Sequence, residues 1–403
     1  MSSSTYIVEL IQQVATAASD LSEGGRAALN HAARKLAQAT ADPEEEALRF
    51  ALQPLSQASL CAANKCGLLK AWEGCKTSSQ LASETGVNER LVARLMRALV
   101  TYGIFSEAGE ETYEHNVLSH ALSIYPLNRN LMPMAQRVLP GIARLPDYLE
   151  SISYRNPGDD PSDKTMFSFA NNTDMEHFQW LQQRPAQLKA FNESMAATIA
   201  VERAYYKKGF ADLFPFEQEL GGSAEVDEVV LVDCGGGYGH VLDDIRKHIP
   251  TLTGRMALED LPKTVENAMK LENVDIVPYN FFTTEQPIKG ARAYMFRHVL
   301  DDWSDSQCAT ILRNTIPAME RGKSRILLVE VVLPPTNASL YGVMMDINLM
   351  RYFGSIRTES QWRELLGSVG LSIRKIWPPA RHDSVIEAVP TAWLDDGDGA
   401  EDK

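Results

Sequence analysis

The sequence has no apolar run of the roughly 18 residues that a membrane-spanning helix requires. Its start lacks a basic stretch followed by an apolar core, so no secretory leader is expected. Neither a membrane partner nor a compartment other than the cytoplasm is expected. Positive charge is also short: 39 Lys and Arg stand against 53 Asp and Glu, a net charge of −14. Nucleic-acid affinity rests largely on Lys and Arg neutralising phosphates, so no nucleic-acid partner is expected. Cysteine is scarce. The five, Cys61, Cys66, Cys75, Cys234 and Cys308, show no metal-type pairing, which reads as reduced thiols and no metal site.

What is present is enough apolar material, 44% of 403 residues, for two or three domains with proper cores. One stretch stands out: Glu228-Val-Val-Leu-Val-Asp-Cys-Gly-Gly-Gly-Tyr-Gly-His240. Val229 to Val232 have the continuous apolar pattern of a strand buried on both faces. The run ends at Asp233 and breaks into Gly235, Gly236, Gly237 and Gly239, then Val241 to His248 reads as a helix. Strand, glycine turn and helix make a nucleotide-binding unit, because glycine lets backbone approach a ligand and helix starts offer free N–H groups. Asp260 closes the next predicted strand at about the spacing, ~20 residues on, where a carboxylate binds ribose hydroxyls. A dinucleotide and an incidental surface turn are the alternatives. Asp233 at the strand tip would repel a pyrophosphate but suits an amine-bearing ligand such as an amino-acid sulfonium.

These residues, with Leu258-Glu-Asp-Leu-Pro262, Asn280-Phe-Phe282, Asp301-Asp-Trp-Ser-Asp305 and Arg357-Thr-Glu-Ser-Gln-Trp362, resemble the class I S-adenosylmethionine-dependent O-methyltransferases of fungal natural-product pathways. The resemblance implies an α/β fold, a Rossmann-like doubly wound sheet, behind an N-terminal helical and winged-helix dimerisation domain. The domains expected are 1–160 (dimerisation and substrate lid), 161–390 (catalytic) and 391–403 (an acidic tail). Apolar positions at helical spacing from residue 6 to about 40 favour a homodimer, since such helices often dock on a partner subunit. Residues 47 to 125 read as the winged helix, with Leu91, Leu95 and Leu99 as the core stripe of its third helix. Arg90, Arg94 and Arg97 on that helix make DNA binding conceivable, but the surrounding acids favour the dimerisation role. From Val229 onward, strand and helix patterns alternate, which predicts a parallel sheet with the ligand at the strands' carboxyl ends.

The resemblance assigns Asp233, Gly235 and Gly237 to the amino-acid end of S-adenosylmethionine, Asp260 to the ribose and Leu261 to the adenine. Asn280 takes the place of the family's usual acid beside the adenine amine, followed by Phe281. Arg297 would lie near the cofactor carboxylate and Trp303 would stack, with a plain core tryptophan as its alternative. In methylating members a histidine precedes the Asp-Trp pair and takes the substrate's proton, its pKa being near working pH. Here that position is Asp301. Glu330 matches one acid that orients the histidine, and Ile356 stands where the other would be. An aspartate near ~4 is a poor base for a phenol near ~10. His298, three residues earlier, would face away from Asp301 if the strand continued.

The family also contains pericyclases that keep the cofactor without methylating and have lost the same histidine. The reading is therefore a non-methylating pericyclase that dehydrates a polyketide-derived small molecule and steers its ring closure. The alternatives are an O-methyltransferase using Asp301 as base and a cofactor-binding protein without catalysis. The expected pocket includes Arg137, Met195, Met345, Asp346, Leu349, Tyr352 and Phe353. Arg351 is a cation that could polarise a carbonyl or, alternatively, form a surface salt bridge.

Overall fold

The computed structural model describes residues 14, 23–123, 138–206, 210–221, 227–380 and 382–394. Most of the helical pattern before Glu23, the acidic tail and Arg137 lie outside them. The chain divides into two compact units, Met1–His120 and Ala121–Lys403. No helix among the described residues is long and apolar enough to cross a membrane.

In the first unit, α1 (Glu23–Thr40) and α2 (Pro43–Lys65) precede a small winged helix. Asp42 caps α2, its carboxylate accepting from the Glu44 and Glu45 amides, which satisfies donors the first turn leaves free. The winged helix comprises β1 (Lys76–Thr77), α3 (Ser78–Thr85), α4 (Glu89–Thr101), β2 (Phe105–Gly109) and β3 (Thr112–His115). Thr77 and Gln80 form a capping box on α3, and Gly86 ends it in the left-handed conformation. The core stripe of α4 differs from expectation. Val92, Ala93, Met96 and Leu99 are buried, while Leu91 is 45% exposed. Positions 92, 96 and 99 are i, i+4 and i+7 and share one face, whereas Leu91 starts a neighbouring row that turns outward. Arg97 is engaged with Glu111 at 2.6 Å across the wing. On α2, Leu48, Phe50 and Leu55 are 59%, 63% and 65% exposed, an apolar surface that the first unit leaves open.

The second unit holds a seven-stranded sheet. Its strands are β4 (Val229–Cys234), β5 (Arg255–Asp260), β6 (Val274–Pro278), β7 (Ala293–Arg297), β8 (Arg325–Val331), β9 (Leu371–Ala380) and β10 (Asp383–Pro390). The order is β6-β5-β4-β7-β8-β10-β9. The first five are parallel, but β10 runs antiparallel to both β8 and β9. The sheet is therefore mixed, not purely parallel, and β10 is a strand that the sequence reading does not include. Its connection to β9 is too short for a crossover, and a short connection makes neighbouring strands antiparallel.

Alternation along the strands divides the core. Val232, Phe296 and Leu328 pack on one face with Trp362 of the helix Glu359–Gly367, and Leu231, Met295 and Leu327 pack on the other with Phe210 and Leu242. Burial on both faces holds the strand tips rigidly, and Asp233, Asp260, Arg297 and Glu330 lie at or beside those tips.

Candidate functional site

The glycine turn begins where β4 ends. Gly235 and Gly236 donate their amides to the Glu259 carbonyl at 2.8 and 3.1 Å, which clamps the tips of β4 and β5 together. The Gly237 amide donates to Asp260 Oδ2 at 2.9 Å, and the Leu261 amide donates to Oδ1 at 2.7 Å. Each Asp260 oxygen thus spends one acceptor site on backbone, and Thr264 adds a side-chain hydrogen bond to the same carboxylate. A Cβ on Gly236 would collide with the Asp233 carboxylate and the Leu258 side chain. Only glycine permits this approach.

Asp233 itself is 1% exposed, and its Oδ2 has no hydrogen-bond partner. Burial raises its pKa to about 7, against the pull of the Arg297 charge. A buried, unpartnered carboxylate oxygen beside a glycine turn has the chemistry of a seat for a ligand ammonium group. Asn280 Oδ1 accepts from the Phe282 amide at 3.0 Å, so it also shapes its own turn. Phe281 and Trp303 meet edge to face with centroids 6.4 Å apart, and Trp303 also packs on Phe178 at 5.4 Å.

A second cluster forms beyond β7. The strand stops at Arg297, and His298 takes a left-handed backbone with φ of 50°. That turn overturns the expectation that His298 faces away from Asp301. Its Nδ1 lies 3.3 Å from Asp301 Oδ2 and 3.8 Å from Glu330 Oε2, and its Nε2 lies 3.0 Å from Asp383 Oδ2. Side chains alternate between the faces of a strand only while the backbone stays extended. Burial opposes charge on His298, but Asp383 and Asp301 outweigh it and hold its pKa well above the ordinary value. Burial and the neighbouring Asp301 charge push both Glu330 and Asp302 well above the carboxylate range.

Asp301 is 6% exposed, and its Oδ1 is buried without a hydrogen-bond partner. It sits on the turn Leu300–Asp302, which other residues fix. Glu330 Oε1 accepts from the Leu300 amide at 3.2 Å. Arg357, 2% exposed, donates to the carbonyls of Leu300 and Trp303 at 2.9 Å each. The Ser355 amide donates to the Asp301 carbonyl at 2.9 Å. A Cβ on Gly354 would strike that same carbonyl. Gly354→Ala should therefore displace the turn and lower stability by about 1–3 kcal/mol, as overpacking does. Thermal denaturation checks this, and an unchanged midpoint would show that the backbone yields freely.

The expected pocket residues are spread more widely. Arg351 is 6% exposed and donates to Asn348 at 3.1 Å, an interior placement that a surface salt bridge does not describe. Tyr352 stacks on His177 at 4.5 Å. Met345, Leu349 and Ile356 pack together with Val331. Asp346 accepts from the Ile356 amide at 2.8 Å, which gives it a structural task. Phe353 is buried with φ of 71°, and Met195 is 47% exposed. Three residues absent from the sequence-based site belong in its description. Asp383 could have been reached only through recognition of β10, Arg357 was visible merely as part of a motif, and His177 gave no signal.

The O-methyltransferase domain model matches residues 174–372, and the O-methyltransferase dimerisation domain model matches 51–123. A methyltransferase of Aspergillus candidus, cfoC, is 36% identical over 75% of this chain and 74% of its own. The O-methyltransferase lepI of Aspergillus flavus is 31% identical over 92% of this chain and 96% of its own. Among solved structures, LepI in complex with SAM superposes with a TM-score of 0.82 at 28% identity, covering 96% of this chain and all of LepI (100%). A structure described as a pericyclic reaction enzyme has the same TM-score, 0.82, at 28% identity over 96% of this chain and 99% of that chain. By these matches, and with the glycine turn and mixed sheet in place, the chain belongs to the O-methyltransferase family and has the class I methyltransferase fold.

Proposed function

We propose that this protein binds S-adenosylmethionine and catalyses a dehydration-coupled pericyclic ring closure of a small polyketide-derived molecule without transferring the methyl group. The observation that carries the reading is the proton inventory around Asp301. His298 lies between the Asp301 and Asp383 carboxylates, which favour its charged form, while burial and the Asp301 charge favour the protonated forms of Asp302 and Glu330. Methyl transfer to a hydroxyl needs a group that removes a proton. Dehydration needs one that gives a proton to a departing hydroxyl and another that takes a proton from the adjacent atom. With the substrate hydroxyl replacing Asp301 Oδ2 as the acceptor at Nδ1, His298 supplies the first, and Asp301 Oδ1 supplies the second; the C–O bond breaks, a C=C bond forms to the adjacent carbon and water leaves. The likeness to LepI and to the pericyclic reaction enzyme supports the same reading.

The cofactor fits its seat. Asp233 offers an unpartnered buried oxygen to an ammonium group, and Asp260, fixed by backbone amides at the tip of β5, keeps acceptor capacity for the ribose. When bound, the cofactor supplies a fixed sulfonium charge, and a preorganised charge of this kind is worth the few kcal/mol that separate competing closures. Gly235, Gly237, Leu261, Asn280, Phe281, Arg297 and Trp303 complete the binding set. Arg351, Tyr352 and Phe353 face the substrate, together with Met345 and Leu349. The exposed Leu48, Phe50 and Leu55 of α2 and the dimerisation-domain match support a homodimer.

The test is mass spectrometry of purified protein with S-adenosylmethionine and a panel of polyketide-derived alcohols. A product lighter by one water, or an isomer of unchanged mass, with the cofactor unconsumed, is the expected result. A product heavier by one methyl group, with S-adenosylhomocysteine accumulating, would establish Asp301 as the base of an O-methyltransferase. Inertness across the panel despite cofactor binding would favour a non-catalytic role.

A further inference from the structure

We infer that Asp383, on a strand that no motif of the catalytic region includes, is the positioning residue of this site: it fixes which nitrogens of His298 carry protons and turns Nδ1 toward Asp301. The geometry is a line of three groups. Asp383 Oδ2 lies 3.0 Å from His298 Nε2, and Nδ1 of the same ring lies 3.3 Å from Asp301 Oδ2. A carboxylate on one nitrogen makes that nitrogen a donor. For the ring to donate to Asp301 as well, it must be the imidazolium, and two flanking carboxylates stabilise that form.

The sequence explains why the role falls to β10. Ile356 stands where the resemblance expects a second orienting acid, and it is buried against Val331 and Leu349. No charge can come from there. Asp383 enters instead from the strand paired with β8, in register with Val331 and one residue from the pair Ser384–Glu330. It is 7% exposed and also faces Arg297 Nη2 at 3.6 Å. Burial works against its charge, yet His298 and Arg297 hold it below the usual carboxylate range. A permanently ionised anion suits an orienting role. The other groups whose charge reaches His298 or Asp383 are Asp301, Asp302, Glu330, Tyr341 and His382.

The inference rests on the proposed function only in giving His298 a proton to deliver; the placement of that proton can be read without substrate. Nitrogen-15 NMR of the ring in the full-length protein should show His298 protonated on both nitrogens at pH 7. In Asp383→Asn its titration should move down by about one to three pH units. Asp383→Glu should restore most of the shift. Once a substrate is known, Asp383→Asn should lower kcat about ten-fold or more, and its basic limb should move to lower pH. A wild-type His298 that titrates near the ordinary value of about 6.5 overturns the inference, whether or not the variant folds. So does a folded Asp383→Asn whose His298 titration is unchanged. Loss of the proposed reaction with the NMR result intact would sink the functional reading alone.

Discussion

Asp301→Asn should lower turnover by about 10²- to 10⁴-fold, the usual contribution of one positioned proton-transfer group. The substitution preserves volume and leaves the backbone carbonyl to Ser355, so the turn itself is retained. What it removes is the acceptor. Oδ1 is buried and unpartnered, and an amide at that place cannot take a proton. It also takes a charge from beside His298, Asp302 and Glu330. The latter two owe part of their raised pKa to Asp301, so both should fall toward the carboxylate range in the variant. Asp301 also helps hold the His298 pKa up, so the basic side of the pH–rate profile should shift to lower pH along with the loss of rate. Cofactor Kd, measured by calorimetry, should stay within about two-fold, because the Asp233 end of the site is untouched. A variant with wild-type turnover would remove Asp301 from the mechanism and leave His298 as the reacting group.

Much of this arrangement was legible in the sequence, and what was not had a common physical cause. The glycine turn, Asp260 and the order of strands and helices follow from local pattern: apolar runs, breakers and acids at fixed spacing. The antiparallel β10 did not. Its eight residues include Asp383 and Glu387, the latter 2% exposed and paired with Arg325 at 3.2 Å, and a buried acid in a strand hides the apolar pattern. The position of His298 was likewise hidden, since one left-handed residue redirects a side chain and nothing obliges a histidine to adopt that backbone. The Leu91 row of α4 misled for the converse reason: two adjacent rows were both apolar, and only packing chooses between them. Local rules therefore delivered the glycine turn with Asp233 and Asp260, while the cluster around Asp301 depends on contacts between residues as far apart as His298 and Asp383.

Asp233→Asn should weaken S-adenosylmethionine binding on the order of 10²-fold, the scale of losing one partner of a buried charge pair, and should also make the unliganded protein more stable. Both effects come from the same desolvated oxygen. The Asp233 carboxyl has its pKa raised to about 7 chiefly by burial, with the Asp260 and Glu259 charges adding to the rise and Arg297 opposing it. The sign follows: a carboxyl raised in the fold costs nothing while it is protonated in both folded and unfolded states. The penalty grows as pH rises from about 4 to 7 and is complete above, at roughly 4 kcal/mol for such a shift. Asparagine never ionises. The variant's melting temperature should therefore exceed that of the wild type at pH 8, and the two should converge near pH 4. Ligand binding runs the other way. An ammonium group needs the ionised carboxylate, so wild-type affinity should rise about ten-fold per pH unit from 5.5 to 7 and then level off. The variant should be flat over the same range. Calorimetry across pH, with proton release read from buffers of different ionisation enthalpy, checks this. A wild-type affinity independent of pH would mean that Asp233 does not meet the ammonium group. A variant less stable than wild type at pH 8 would mean that the oxygen already has a partner in the unliganded fold. The two readouts test one claim, that the fold keeps an unsatisfied charge at the tip of β4 for its ligand to complete.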